Sequence, residues 1–155
     1  VNEKQPSQAS LNTWLGNRAR SAHVVMVGLQ EIEMGSTSVA QAAFMDKLSL
    51  NEKGNTNAAW WRRSINQALA SLEADPLVWC LVALRQLSGM LVLVFVRREI
   101  FPYIGEISTD SVGCGVLGVG GNKGAVAVGF SIYRSYLVCA NSHFAAHQKD
   151  VEKRN

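Results

Sequence analysis

A glutamate stands two residues after a short apolar run in the segment Gly28-Leu29-Gln30-Glu31. The run, Val24–Leu29, contains three valines, and its length and composition predict a strand that is buried on both faces. Ligands of α/β proteins bind at the rim of the sheet, where such a strand ends. A carboxylate at that place suits Mg²⁺, which takes one or two carboxylates together with waters and phosphate oxygens. The alternative is a solvated turn carboxylate, because most glutamates are exposed.

Glycines are concentrated in a second segment, since eight of the 13 lie between Gly105 and Gly129. Glycine lets backbone N–H groups approach an anion closely, and Lys123 adds a positive charge. A G-x-G-x-x-G pattern begins at Gly113, but the residues after Gly124 alternate like a strand, so the dinucleotide-binding context is missing. A P-loop is excluded because Lys123 follows Asn and precedes Gly. The alternative is a flexible hairpin loop.

A third segment places polar residues after a predicted strand: Asn141-Ser142-His143-Phe144-Ala145-Ala146-His147. Two histidines at this spacing occur in the zinc-protease motif H-E-x-x-H, but Phe144 stands where the motif needs its Glu. No other residue has obvious zinc-ligand spacing, so we do not expect zinc. An Asn and a His at a strand terminus can instead contact a phosphoryl group. The alternative is a helix cap beside an ordinary surface histidine.

These segments need a scaffold, which the hydrophobic pattern indicates. Ser10 is predicted to cap a helix that ends at Gly16, and further helices are predicted over 36–50, from Trp60 to about 75, and from Phe144 onward. Strands are predicted over 24–29, 78–84, 90–96, 100–107, 124–132 and 136–140. Helices followed by a run of short strands predict a mixed α/β layered domain.

Taken together, the three segments resemble the inositol polyphosphate 5-phosphatases, which belong to the deoxyribonuclease I-like endonuclease/exonuclease/phosphatase superfamily. The resemblance runs from about Leu11 to the end of the chain. Glu33-Met34-Gly35 and Trp60-Trp61, with the histidine segment, look most like the plant-type branch. The matching segments are Val27-Gly28-Leu29-Gln30-Glu31, Gln86-Leu87-Ser88-Gly89-Met90-Leu91, Gly121-Asn122-Lys123-Gly124-Ala125-Val126 and Asn141-Ser142-His143-Phe144-Ala145-Ala146-His147-Gln148.

The resemblance implies a four-layer α/β sandwich and Mg²⁺-dependent removal of the 5-phosphate from inositol polyphosphates or phosphoinositides such as phosphatidylinositol 4,5-bisphosphate. It implies that Glu31 binds the metal and that His143 contacts the scissile phosphate as a catalytic residue. Substrate-binding positions near the phosphate are implied at Asn122, Lys123, Asn141 and His147.

The family's remaining motifs are absent from these residues, including those that carry the general base. We therefore interpret residues 1–155 as the N-terminal portion of a 5-phosphatase catalytic domain, truncated at both ends, and expect these residues alone to be inactive. Two alternatives stay open. One is a non-catalytic phosphoinositide-binding fragment, and the other is a superfamily phosphodiesterase, either a nuclease or a sphingomyelinase.

Composition limits the partners. The 155 residues carry a net charge of +3, which suits an anionic substrate or a membrane surface and is far below the charge of a dedicated nucleic-acid binder. The longest apolar run, 87–96, is half of the roughly 20 residues that a membrane-spanning helix needs. Three scattered cysteines favour a reducing compartment. We therefore expect a cytoplasmic protein that binds membranes peripherally, without a transmembrane segment and without nucleic acid.

Overall fold

In a computed structural model of the protein, the described residues are 4–16, 18–33, 56–114, 123–145 and 151. A 3₁₀ turn covers Phe101–Tyr103. The helices and strands, in chain order, are α1 (Gln8–Leu15), α2 (Arg18–Ser21), β1 (Val24–Leu29), α3 (Thr56–Ser71), β2 (Trp79–Leu87), β3 (Met90–Arg97), β4 (Ile104–Gly113), β5 (Gly124–Ile132) and β6 (Ser135–His143).

The described strands form two antiparallel sheets. Sheet A has the order β1-β3-β2, and sheet B has the order β4-β5-β6. Strand β3 is the centre of sheet A and is buried on both faces, which explains its unbroken apolar sequence from Met90 to Val96. Because successive side chains alternate between faces, this one strand contributes to two separate cores.

Each core fills the space between two layers. Leu91, Leu93 and Phe95 of β3 pack with the helices, including Trp61 and Leu69 of α3. The alternate residues Val92, Val94 and Val96 pack against Val126, Val128 and Phe130 of β5. The layers therefore run from helices to sheet A to sheet B, which confirms the predicted mixed α/β layered fold. Within the described residues, no helix has the length and apolarity needed to span a bilayer.

The start of the first helix differs from the prediction. Ser7, not Ser10, is the N-cap, and its side chain accepts a hydrogen bond from the backbone N–H of Ser10. The sequence pattern does not distinguish the two serines. The N-cap is the residue at which the backbone changes from extended to helical, and that residue is Ser7, whose ψ is 155°. The predicted C-terminal Gly16 is correct, with φ 55° in the left-handed region.

Strand β1 has the predicted bounds, but it is not buried on both faces. Its Val27 and Leu29 pack under the helices, whereas Met26 is 42% exposed. The reason is its position at the edge of the described sheet, beside β3. Strand β4 begins later than predicted, at Ile104, because a 3₁₀ turn takes Phe101–Tyr103. It also ends later, at Gly113, because its pairing with β5 continues to that residue. The helices predicted over 36–50 and after Phe144 lie outside the described residues, apart from 144, 145 and 151.

Candidate active site

Glu31 lies two residues beyond the end of β1, in a backbone conformation with φ 57°. A non-glycine residue with positive φ is unfavourable, so surrounding contacts must hold it there. The next residue, Ile32, donates its backbone N–H to the Gly89 carbonyl at 3.1 Å. The Ile32 carbonyl in turn accepts a hydrogen bond from the Asn57 amide nitrogen of α3, also at 3.1 Å. The segment that carries Glu31 is thus held from two sides.

Gly89 is a turn residue between β2 and β3, and it lies directly against the Glu31 segment. A Cβ atom at Gly89 would lie 2.6 Å from the Glu33 carbonyl oxygen and 3.4 Å from the Glu31 Cα. Real Cβ atoms do not approach backbone oxygen this closely, so the position requires glycine. The β2–β3 turn therefore acts as a backbone support for Glu31.

Lys123 and His143 meet at the same end of sheet B. Lys123 immediately precedes β5, and the first residue of β5, Gly124, pairs with His143 at the end of β6. The Lys123 Nζ lies 3.3 Å from His143 Nε2. The same Nε2 lies 3.7 Å from Glu31 Oε1, which follows a strand of the other sheet. The structure thus brings together Glu31, Lys123 and His143, here called the polar cluster.

The environment of His143 favours the neutral ring. Burial lowers the pKa of His143 below its ordinary value of 6.5, and the Lys123 charge lowers this pKa further, whereas the Glu31 charge raises it. The side chain is only 15% exposed. A neutral ring with its proton on Nδ1 accepts a hydrogen bond from the Lys123 ammonium through Nε2. The cluster consequently combines one carboxylate and one ammonium near the same nitrogen of an imidazole whose uncharged form is favoured.

Asn141 lies two residues before His143 and reaches across to sheet A. Its amide nitrogen donates to the Leu29 carbonyl at 2.6 Å and to the Leu91 carbonyl at 3.2 Å. Gln30, at the end of sheet A, bonds in the opposite direction: its Nε2 donates to the Ser142 carbonyl at 2.5 Å and lies 3.5 Å from Asn141 Oδ1. The predicted role of Asn141 in substrate binding stays a prediction.

Two other predicted positions, Asn122 and His147, lie outside the described residues. Sequence reasoning gave no role to Gly89, Asn57 or the side chain of Gln30, although all three hold the backbone around Glu31 and His143. For Gly89, the sequence did offer a signal, which is its turn position between two predicted strands. No sequence signal indicated the contacts of Asn57 and Gln30, because those contacts join residues far apart in the chain.

The donor set favours a hard cation over zinc. Across the described part of the chain, no three His, Cys, Asp or Glu side chains come together in a metal-binding group. The Glu31 carboxylate is 38% exposed. A single accessible carboxylate fits Mg²⁺, which keeps several waters, and does not fit a closed zinc site.

The fold and the polar cluster define a layered α/β protein with a site where strands from both sheets end. The chain belongs to Endonuclease/Exonuclease/phosphatase family 2, which it matches over residues 1–155. The predicted family is thereby confirmed.

Curated relatives resemble the chain along its full length. The type II inositol polyphosphate 5-phosphatase 15 of Arabidopsis thaliana is 39% identical over 155 residues, which is 100% of this chain and 14% of that protein. The type II inositol 1,4,5-trisphosphate 5-phosphatase of Mus musculus is 31% identical, again over 100% of this chain and 14% of the relative. The resemblance to the plant-type branch stays a prediction.

A solved structure has the same fold. It is the inositol polyphosphate 5-phosphatase domain of SPsynaptojanin, determined in complex with inositol (1,4)-bisphosphate and calcium ion. The TM-score is 0.58 at 17% identity, and the match covers 97% of this chain and 50% of the solved one. The predicted sandwich of the endonuclease/exonuclease/phosphatase type is therefore confirmed, and the chain spans half of that domain.

Proposed function

We propose that this chain is the N-terminal part of a catalytic domain that hydrolyses the 5-phosphate of inositol polyphosphates or phosphoinositides. The observation that carries the proposal is the polar cluster, in which His143 Nε2 lies 3.3 Å from the Lys123 ammonium and 3.7 Å from the Glu31 carboxylate. The names of the relatives and the inositol bisphosphate in the solved structure support this substrate class.

Each member of the cluster has chemistry suited to phosphate ester hydrolysis. Glu31 would hold Mg²⁺, which supplies positive charge that stabilises the charge developing on phosphate oxygens. Lys123 is a point charge that attracts a phosphate dianion in substrate and transition state alike. His143 is mostly buried, and its lowered pKa favours the uncharged ring. An uncharged ring has one N–H, which can donate a hydrogen bond to a phosphate oxygen without repelling a cation bound at Glu31.

The remaining parts of the reaction need residues outside this chain. Because the chain spans 14% of the Arabidopsis thaliana relative and half of the solved domain, we place the general base and further metal contacts elsewhere in the protein. For the same reason we propose that residues 1–155 alone are inactive. We also propose that the protein is cytoplasmic, which its three scattered cysteines support, and that it binds anionic membranes peripherally, which its net charge of +3 supports. The same charge is far below that of a dedicated nucleic-acid binder, so we propose no nucleic-acid partner.

The test is phosphate release by the full-length protein. Soluble inositol polyphosphates and vesicles that contain phosphatidylinositol 4,5-bisphosphate serve as separate substrates, with Mg²⁺ or with EDTA. We expect turnover that Mg²⁺ supports and EDTA abolishes, and none with residues 1–155. Binding to the vesicles without phosphate release would favour the non-catalytic alternative. Cleavage of DNA or sphingomyelin in place of inositol phosphates would contradict the proposal.

The support that Gly89 gives to Glu31 yields a separate prediction. In the full-length protein, Gly89→Ala should weaken Mg²⁺ binding about tenfold, because the new methyl group displaces the backbone between Glu31 and Glu33. Calorimetric Mg²⁺ titration measures this effect. The matched control is Gly16→Ala, which strains a positive φ but lies at the end of α1. The control should lower the melting temperature and leave Mg²⁺ affinity unchanged, and unchanged affinity in both variants would refute the support role.

A further inference from the structure

The polar cluster is assembled from two different sheets. Glu31 follows β1 of sheet A, whereas Lys123 and His143 lie at strand ends of sheet B. Between the sheets, the core is formed mainly by valines and Phe130, and such apolar packing has no preferred direction. Apolar packing alone therefore does not determine how the end of β1 aligns with the end of β6. Directional bonds near the cluster are needed for that.

Gln30 and Asn141 supply these directional bonds, and we call this pair the inter-sheet clasp. Asn141 of sheet B donates to two carbonyls of sheet A, on Leu29 and Leu91. Gln30, at the end of sheet A, donates to the Ser142 carbonyl of sheet B and faces the Asn141 amide oxygen. Bonds therefore run in both directions across the gap. The clasp residues are one position from Glu31 and two positions from His143.

The backbone of β1 makes room for the clasp at Gly28. A Cβ atom there would lie 3.2 Å from both Cβ and Cγ of Asn141, which is tighter than ordinary contact. Gly28 pairs with Val92 in sheet A, and Asn141 pairs with Val126 in sheet B. Val92 and Val126 both belong to the core between the sheets. The glycine therefore lets the polar side chain occupy a layer that is otherwise apolar.

The hydrogen-bond inventory of Asn141 argues against a direct contact with phosphate. A side-chain amide has two N–H donors, and those of Asn141 are directed at two protein carbonyls. The other polar atom of the side chain, Oδ1, is a hydrogen-bond acceptor and repels a phosphate oxygen. Contact with substrate would cost one of the two bonds to sheet A.

We propose that the inter-sheet clasp of Gln30 and Asn141 is a positioning device that sets the distance between Glu31 and His143. The inference rests on the function proposed above. The clasp residues do not touch substrate or metal, and they act by holding the ends of β1 and β6 together. Loss of either residue lets the two sheets shift at this end, so that Glu31 and His143 no longer face one bound phosphate.

The test is a double-mutant cycle in the full-length protein. Asn141→Leu and Gln30→Met keep the number of side-chain heavy atoms and remove the amides. Each is expected to weaken Mg²⁺ binding, measured by calorimetry without substrate, about tenfold. The double variant should be scarcely worse than either single variant, because both break the same device. kcat should fall more than KM rises. If Asn141→Leu fails to fold, the smaller Asn141→Ala, which also removes the amide without adding a charge, completes the same cycle with Gln30→Met.

A matched control lies in the same layer of the sandwich. Arg85 of sheet A donates to Ser111 Oγ of sheet B at 2.6 Å. Arg85 pairs with Val92 and Ser111 with Val126, so this bond joins the same two sheets on the far side of the central strands, roughly 10 Å from Asn141. Ser111→Ala should lower the melting temperature of the metal-free protein and leave Mg²⁺ affinity unchanged.

The outcomes separate the inference from the proposed function. If Glu31→Gln weakens Mg²⁺ binding while the clasp variants do not, the positioning role is wrong and the metal site stands. If Asn141→Leu raises KM alone and its effect adds to that of Gln30→Met, Asn141 contacts substrate and the clasp inference is overturned. If Glu31→Gln itself leaves Mg²⁺ binding unchanged, the proposed metal site fails.

Discussion

Glu31→Gln in the full-length protein is expected to lower Mg²⁺ affinity and phosphatase turnover together, while the fold persists. The amide has nearly the same volume as the carboxylate and cannot provide its charge. A bound divalent ion contributes several kcal/mol of transition-state stabilisation, so turnover should fall by about 100-fold or more. Calorimetric Mg²⁺ titration, initial rates of phosphate release and the melting temperature measure the three quantities.

The control for this substitution is Glu99→Gln. Glu99 lies after β3 at the opposite end of sheet A, where it is 66% exposed and lies 3.5 Å from His23. A charge lost there should change neither Mg²⁺ affinity nor turnover. Wild-type Mg²⁺ dependence in Glu31→Gln would exclude Glu31 as a metal ligand.

The second large effect on the kinetic constants is expected for His143 and Lys123, the two residues proposed to contact the substrate phosphate. His143→Ala should lower kcat about 100-fold with a smaller change in KM, because the histidine contact strengthens in the transition state. Lys123→Ala should instead raise KM about tenfold, because its charge attracts the phosphate equally in ground and transition states. Steady-state kinetics on a soluble inositol polyphosphate separates the two effects without the complication of a vesicle surface.

Arg134→Ala provides the comparison for the lost positive charge. Arg134 is exposed in the turn between β5 and β6, at the other end of β5 from Lys123. Its removal should leave both kinetic constants near their wild-type values. If His143→Ala mainly raised KM and Lys123→Ala mainly lowered kcat, the two assigned roles would have to be exchanged.

Local pattern was a good guide to the strands that lie at the centre of a sheet. The bounds of β5 match the prediction, and β3 ends one residue beyond it, because a continuous or alternating apolar run of this length is typical of a buried strand. Local pattern was a poorer guide to where elements begin and to which side chains of an edge strand are exposed. The true cap at Ser7, the exposed Met26 of β1 and the late start of β4 all depend on neighbours that the chain meets only after folding.

By itself, the sequence determined that Glu31, Lys123 and His143 stand where apolar strands begin or end. Because each also belongs to a segment that resembles a phosphatase motif, the sequence predicted that they carry chemistry. Only the tertiary structure decided that the three meet, since spacing along the chain does not say which strand ends share one edge of a sandwich. It also decided what holds them there. The contacts of Gly89 with Glu33 and of Asn141 with Leu29 and Leu91 join distant residues through backbone atoms, which every sequence has and no motif reveals.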